Sequence, residues 1–367
     1  MIQTSLLKYN TKFTCKKVHN ILRVPVVSKE GLPLMPTKAS RARKWIKEGK
    51  AIKRWSKTGL FYVQLQVEPS DTKLQEVVLA LDPGSSYDGI TIATTREVQL
   101  QSMLILPHGI AKKLLDRRRL RRSRRYRKCR RRPKRFDNRK RPDGWIAPSQ
   151  KAKVEFRLKI INLLKDIYPI TTYIVEDVRF NHYNFPLGKY KRWGKYFSTV
   201  EIGKTVLYNT LASYGTLLKY SGNDTSNFRQ VFGIKKSRSK KQISRESHAN
   251  DALALCCGYF GIKLCNYSLF IALKRYQPIR RSLHLQNPKK GGIRERRGGT
   301  DSGYGFKKGD IVEGIYKGQK VIGWACSFSK KKEVGIATFE KNQKWIVSSK
   351  RCNRMCYNPI MRLVSPP

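Results

Sequence analysis

The sequence predicts an α/β fold. An α/β core is split by an arginine-rich helix, preceded by a small N-terminal module and followed by a small β-barrel-like domain. Three observations carry this. Val77–Asp82 and Thr171–Val175 are apolar runs, and each leads into an acid at its end, Asp82 and Glu176; such runs suit strands buried on both faces. Helical stretches at 149–168, 199–214 and 248–260 alternate with strands, as a layered α/β core requires. Fourteen of the nineteen residues 117–135 are Arg or Lys, and this run stands inside the core sequence rather than at a terminus.

The composition bounds the partners. The 367-residue chain carries 78 Lys+Arg against 25 Asp+Glu, a formal charge of +53. A field of that strength selects a polyanion, and nucleic acid is the polyanion that fits. Binding should weaken steeply with salt, because each neutralised phosphate releases counterions. A wholly disordered basic protein is excluded by 40% hydrophobic residues, six Trp and eighteen Tyr, enough for a real core. The length suits two or three modest domains. The eight cysteines form no CxxC pair, which argues against a zinc ribbon and for a reduced compartment. Residues 1–20 hold four Lys and no acid. They lack the apolar centre of a secretory signal and read as a basic extension, with an organellar transit peptide as the other reading.

The elements follow in order. Val24–Ser28 is a short strand before the turn Lys29-Glu30-Gly31, and Pro33-Leu34-Met35-Pro36 comes next. Ala39–Lys50 reads as a basic helix ended by Gly49, carrying Arg41, Arg43 and Lys44, and Leu60–Val67 alternates as a strand. After Asp82, Pro83-Gly84 turns the chain; Gly89–Ala93 and Val98–Leu106 return as strands. The basic run is predicted helical from Ala111 to Arg132 with Pro133 as a stop, and Leu120, Tyr126 and Cys129 are expected to pack inward. Ser149–Tyr168 has apolar residues at helical spacing, Leu217–Tyr220 suits a strand, and 221–246 is polar and basic. His248–Phe260 reads as a helix, 278–308 as a basic glycine-rich arm, and the segments 310–316, 321–327, 333–339 and 344–348 as strands of a small barrel.

Three acids carry the candidate chemistry. Asp82 and Glu176 end buried strands, and Asp251 lies in the first turn of a helix one turn from His248. Carboxylates converging from strand ends and a helix start can hold two hard divalent ions, which activate water and stabilise the leaving oxygen of a phosphodiester. Taken singly, each acid has a plainer account. Asp before Pro-Gly is a turn former, Glu176-Asp177 is solvated charge, Asp251 is a helix cap, and a lone His is a hydrogen-bonded structural residue. Taken in the order strand-Asp, strand-Glu, helix His-x-x-Asp, they match an RNase H-like nuclease of the RuvC type.

With Pro33–Pro36, Asp82-Pro83-Gly84, the Arg-rich run, Val175-Glu176-Asp177 and Ser247–Ala252 in this order, residues 21–320 resemble the IscB/IsrB proteins, transposon-associated relatives of the type II CRISPR effector nucleases. The resemblance implies an α/β, RNase H-like (RuvC) core split by a bridge helix. It implies that Asp82, Glu176 and Asp251 bind two Mg²⁺ ions, with Mn²⁺ as a substitute, and that His248 shapes the attack. Arg117, Arg118, Arg121, Arg122, Arg124, Arg125 and Arg131 would lie along a guide RNA and its heteroduplex with DNA, with Arg41, Arg43, Arg294, Arg296 and Arg297 as further nucleic-acid contacts. The implied division is a basic extension at 1–20, a PLMP domain at 21–70, RuvC-I at 71–110, the bridge helix at 111–140 and RuvC-II and -III at 141–275. A guide-RNA-binding arm at 276–308 and a domain reading a target-adjacent motif at 309–367 complete it.

About 70 residues separate Asp177 from His248, and His182 is the only histidine among them. That leaves no room for an HNH nuclease, so the chain resembles the HNH-less IsrB form. The implied activity is a nickase of the displaced, non-target strand. The implied partners are a long structured guide RNA and double-stranded DNA with an adjacent motif, in a monomeric ribonucleoprotein. The expected location is the cytoplasm or nucleoid of a prokaryote, with an organelle such as a plastid as the alternative. Two other classes stay open: a protein-only, structure-specific endonuclease similar to Holliday-junction resolvases, and a non-catalytic, domesticated RNA-binding relative.

Overall fold

A mixed seven-stranded sheet with helices on both faces positions everything else. The computed structural model describes residues 22–69, 73–127, 145–178, 199–237, 239, 243–264, 269–275, 286–287, 292–293, 304–329, 331–338, 344–357 and 360–364.

The N-terminal module is a four-stranded sheet with one helix. Strands β1 (Arg23–Val27) and β2 (Pro33–Lys38) form a hairpin, followed by helix α1 (Ala39–Lys47), β3 (Ala51–Trp55) and β4 (Phe61–Leu65). The order β2-β1-β4-β3 puts the two prolines of β2 on an edge, where a missing N–H breaks no ladder. Helix α1 stops at Gly49, whose φ of +71° suits only a residue without a side chain. Val27 and Leu60 reach into the core of the central sheet, and Arg23 Nε meets Glu97 Oε1 at 2.6 Å.

The central sheet begins with β5 (Val77–Pro83), β6 (Tyr87–Thr94) and β7 (Val98–Ile105), an antiparallel meander. Helix α2 (Ile110–Tyr126) leaves the sheet, and α3 (Pro148–Lys165) returns to β8 (Thr172–Glu176), parallel to β5. Helix α4 (Thr199–Tyr214) then leads to β9 (Thr216–Tyr220), parallel to β8. Two crossovers of this kind need helices over the sheet face, and α3 and α4 supply them. Next come α5 (Gly222–Phe232), a π-helical turn at Arg245–Ala249 and α6 (Asn250–Phe260), followed by β10 (Leu269–Arg275), parallel to β7.

Strand alternation divides the core into two layers. Val77, Leu79, Leu81 and Val175 pack with Ile160, Leu164, Leu207 and Leu211 of α3 and α4. Val78, Ala80 and Ile174 pack with Ala252, Leu255 and Cys256 of α6. The sheet is therefore buried on both faces, which is why its central strands read as unbroken apolar runs.

A two-residue ladder joins β11 (Gln286–Asn287) to β12 (Gly292–Ile293). The C-terminal strands are β13 (Ile311–Tyr316), β14 (Gln319–Phe328), β15 (Glu333–Thr338), β16 (Lys344–Ser348) and β17 (Cys352–Cys356). Their order is β16-β15-β14-β13-β17, an antiparallel sheet in which β16 also approaches β13. Positive φ at both Lys317 and Gly318 makes the tight β13–β14 turn. The last strand, β18 (Ile360–Val364), leaves this sheet and joins the central one beside β10.

Two expectations are corrected. Tyr126 is 91% exposed rather than packed inward; among the described residues α2 buries no side chain, and Leu120 is only half-buried. The helix predicted to begin at His248 begins at Asn250, with His248 in the π-helical turn before it. Cys129, Arg131, Pro133, His182, Arg294, Arg296, Arg297 and residues 1–20 lie outside the described residues. Among the described residues no helix is long and apolar enough to cross a membrane.

Candidate active site

The two strand-end acids meet because of register. Leu81 of β5 pairs with Val175 of β8, so Asp82 and Glu176 leave adjacent parallel strands at the same edge. Both share the strand parity of Ala80 and Ile174, the residues that face α6. Asp82 hydrogen-bonds Glu176, and its carboxyl is held well above the usual carboxylate range. Burial is the largest cause, followed by the bond and charge of Glu176 and the charges of Asp251 and Asp88. Two carboxyls this close cannot both ionise without a compensating cation. Glu176 Oε1 also lies over the start of α5, 3.2 Å from where a Cβ on Gly222 would stand.

Asp251 stands in the first turn of α6 and is 5% exposed, where the helix dipole favours a carboxylate. Its Oδ2 accepts from Lys236 Nζ. Arg229 Nε lies 3.1 Å from its Oδ1, oriented so that neither buried atom has a hydrogen-bond partner.

The turn that carries His248 is pinned from below. Gln101 Nε2 donates to Ala249 O at 3.0 Å and to Asn250 Oδ1 at 3.2 Å, and Asn250 Nδ2 donates to Lys235 O at 2.7 Å. The imidazole of His248 lies against the ring of Tyr87, centroids 4.5 Å apart.

A second buried acid, Asp88, supports the turn after Asp82. Arg157 of α3 donates to it twice, from Nε to Oδ2 and from Nη2 to Oδ1, both at 2.8 Å. Asp88 Oδ1 also accepts from Gly84 N, and Arg157 Nη2 donates to Gly84 O, again at 2.8 Å each. Both backbone groups of Gly84 are thus tied to one buried ion pair. The neighbouring charge and hydrogen bonds of Asp88 hold the Arg157 guanidinium above its ordinary pKa, although burial, the largest influence, opposes this.

The structure therefore brings Asp82, Glu176 and Asp251 to one edge of the sheet, with His248 on the turn leading into α6. Among the described residues no three His, Cys, Asp or Glu side chains stand close enough to form a metal cage as they are; Asp251 is engaged by cations instead. The donors still fit a hard divalent ion. All are carboxylate oxygens, two of them crowd one another, and Asp251 Oδ1 is buried and unsatisfied. Asp177 points elsewhere, accepting from Tyr208 OH at 3.2 Å.

Of the predicted nucleic-acid contacts, Arg41, Arg43, Arg117, Arg118, Arg122 and Arg124 are exposed, and Arg121 and Arg125 are half-buried. Sequence reasoning missed Asp88, Arg157, Arg229 and Lys236. The signal for Arg157 was present: it falls between Val154 and Ile161 on the apolar face of α3, and a buried Arg needs an acid.

A family model described as RRXRR protein matches residues 24–192. The matched stretch runs from the N-terminal module through Asp82 and the arginine-rich helix to Glu176. Two solved structures are similar over about half the chain. RuvC of T. thermophilus in complex with a Holliday junction substrate is 13% identical, covering 50% of this chain and 93% of that one, with a TM-score of 0.26. The yeast mitochondrial Holliday junction resolvase Ydc2 is 12% identical, covering 52% and 80%, with a TM-score of 0.28. A search of the curated proteins found no match.

Proposed function

We propose that this chain is an RNA-guided, Mg²⁺-dependent DNA endonuclease that nicks one strand, built on an RNase H-like core of the RuvC type. The observation that carries the reading is the contact of Asp82 with Glu176 at adjacent parallel strand ends, with Asp251 close enough to act on Asp82 by its charge. The meander β5–β7 continued by parallel β8 and β9 supports the same core.

In this reading Asp82, Glu176 and Asp251 hold two Mg²⁺ ions, or Mn²⁺ in their place. The ions, when bound, supply a nucleophilic hydroxide and stabilise the leaving oxygen. The chain's own residues do the positioning. The Asp88–Arg157 pair fixes the Gly84 turn and hence the direction of Asp82, and Gln101 and Asn250 fix the His248 turn. His248 shapes the attack from its place against Tyr87.

Guidance by RNA rests on the ordered motifs shared with the IscB/IsrB proteins, on the family match across four of them, and on the exposed arginines of α1 and α2. Contacts of that kind read phosphates and shape, leaving sequence to base pairing. The short stretch between Asp177 and His248 leaves a single nuclease centre, so one strand, the displaced one, is cut. The arm at 276–308 and the sheet after it would hold guide RNA and read the adjacent motif, and a monomeric ribonucleoprotein in a prokaryotic cytoplasm or an organelle follows from the same resemblance. The test is the RNA that co-purifies with the expressed protein. A single long species is expected; mixed RNA of no preferred sequence would overturn guidance.

A further inference from the structure

Lys236 does not lie beside Asp251 by accident of a flexible side chain. Its neighbours are clamped on both sides. Lys235 O accepts from Asn250 Nδ2 at 2.7 Å, and Asn250 Oδ1 in turn accepts from Gln101 Nε2 at 3.2 Å. Ser237 N donates to Glu246 O at 2.9 Å. The backbone of 235–237 is thus laced to the turn that begins α6, which aims Lys236 at Asp251.

The two cations on Asp251 differ. Arg229 sits in α5 with its side chain 22% exposed, next to Phe228, which packs against Gly258 of α6. The Lys236 side chain is 44% exposed. The Arg is part of the wall; the Lys has solvent to swing into. In sequence, Lys236 belongs to the cationic run KKSRSKK at 235–241.

We propose that Lys236 is a resident counter-cation of the acid cluster. It neutralises Asp251 while the cluster holds no divalent ion, and it passes to a backbone phosphate of the nucleic acid when an ion takes its place. This rests on the reading of Asp82, Glu176 and Asp251 as a metal centre. Lys236 acts on that centre in two opposite senses. It competes with the metal for Asp251, and it adds one phosphate contact to the bound strand.

The experiment compares wild type, Lys236→Gln and Lys236→Arg, with Asp82→Asn as the control for the centre itself. Mn²⁺ is titrated calorimetrically into protein free of metal and DNA, and binding of a duplex oligonucleotide is measured against salt at saturating Mn²⁺, the state in which Lys236 is released to phosphate. Losing a partly exposed ion pair should tighten Mn²⁺ by up to roughly fivefold in Lys236→Gln. The same variant should bind DNA with a salt slope lower by about one unit. Lys236→Arg should restore the slope and the weaker Mn²⁺ binding, which separates the charge from any effect on folding. Unchanged or weaker Mn²⁺ binding in Lys236→Gln, or an unchanged salt slope, would overturn the proposal. Mn²⁺ binding that survives Asp82→Asn in full would overturn the metal-centre reading instead.

Discussion

Gly89 lies directly across from Asp82 in the β5–β6 ladder, and the space a side chain would need there is filled by the carbonyl oxygen of His248. A Cβ built on Gly89 falls 2.0 Å from that oxygen and 3.1 Å from Ala249 Cα. The missing side chain lets the His248 turn dock against the strand pair that presents Asp82. Backbone on both sides leaves nothing soft to yield. Gly89→Ala should therefore destabilise the protein by about 2–4 kcal/mol in urea unfolding and lower nicking activity by more than tenfold, because the turn must lift. A variant of wild-type stability would mean that the turn is not seated there.

The Asp88–Arg157 pair is buried and bidentate, and it carries both backbone bonds of Gly84. Arg157→Met leaves a buried carboxylate without its partner, which costs about 3–5 kcal/mol. The double variant Asp88→Asn/Arg157→Met should recover part of that loss, since no uncompensated charge remains. Chemical denaturation of the three proteins measures the coupling.

Much of this architecture was legible in the sequence, and the misses have physical causes. Strands β5 and β8 announced themselves because a strand buried on both faces needs an unbroken apolar run, and α4 was read at its observed limits. Helix α5 was hidden by its polar surface, though Ser221 and Asp224 make the reciprocal cap that marks a helix start. Strand β3 alternates poorly, with Lys53 and Arg54 both exposed. Strands β10 and β18 exist through pairing with distant strands, which no local pattern reveals. The acids Asp82, Glu176 and Asp251 were legible as positions. The cations that hold Asp251, and the Arg157 that serves Asp88 from 69 residues away, were not.

The raised proton affinity of Asp82 fixes the sign of a pH effect. A carboxyl that binds its proton more tightly when folded stabilises the fold below its ordinary pKa of about 4, and that contribution is lost as pH rises through the folded value. In EDTA, Asp82→Asn should therefore melt at a higher temperature than wild type at neutral pH, and the gap should shrink as the pH falls. A wild-type protein more stable than the variant at every pH would contradict the crowding of Asp82 with Glu176.

The exposure of α2 sharpens what its arginines do. With no buried side chain among the described residues, the helix presents its charged surface to nucleic acid. Arg121→Ala and Arg122→Ala should each reduce the salt slope of RNA binding by about one unit, taking duplex DNA as the guide. A scramble of 117–135 that conserves charge should weaken binding and nicking; full retention of both would reduce the helix to a polycation.

Plasmid nicking tests the central claim most directly. Purified protein with its co-purified RNA is incubated in Mg²⁺ with supercoiled plasmid bearing a guide-matched site, beside Asp82→Ala. The account predicts open-circle product with one break in the displaced strand for wild type, and none for Asp82→Ala although the variant still binds the target. Linear product from wild type, or cleavage by Asp82→Ala at the wild-type rate, would contradict it.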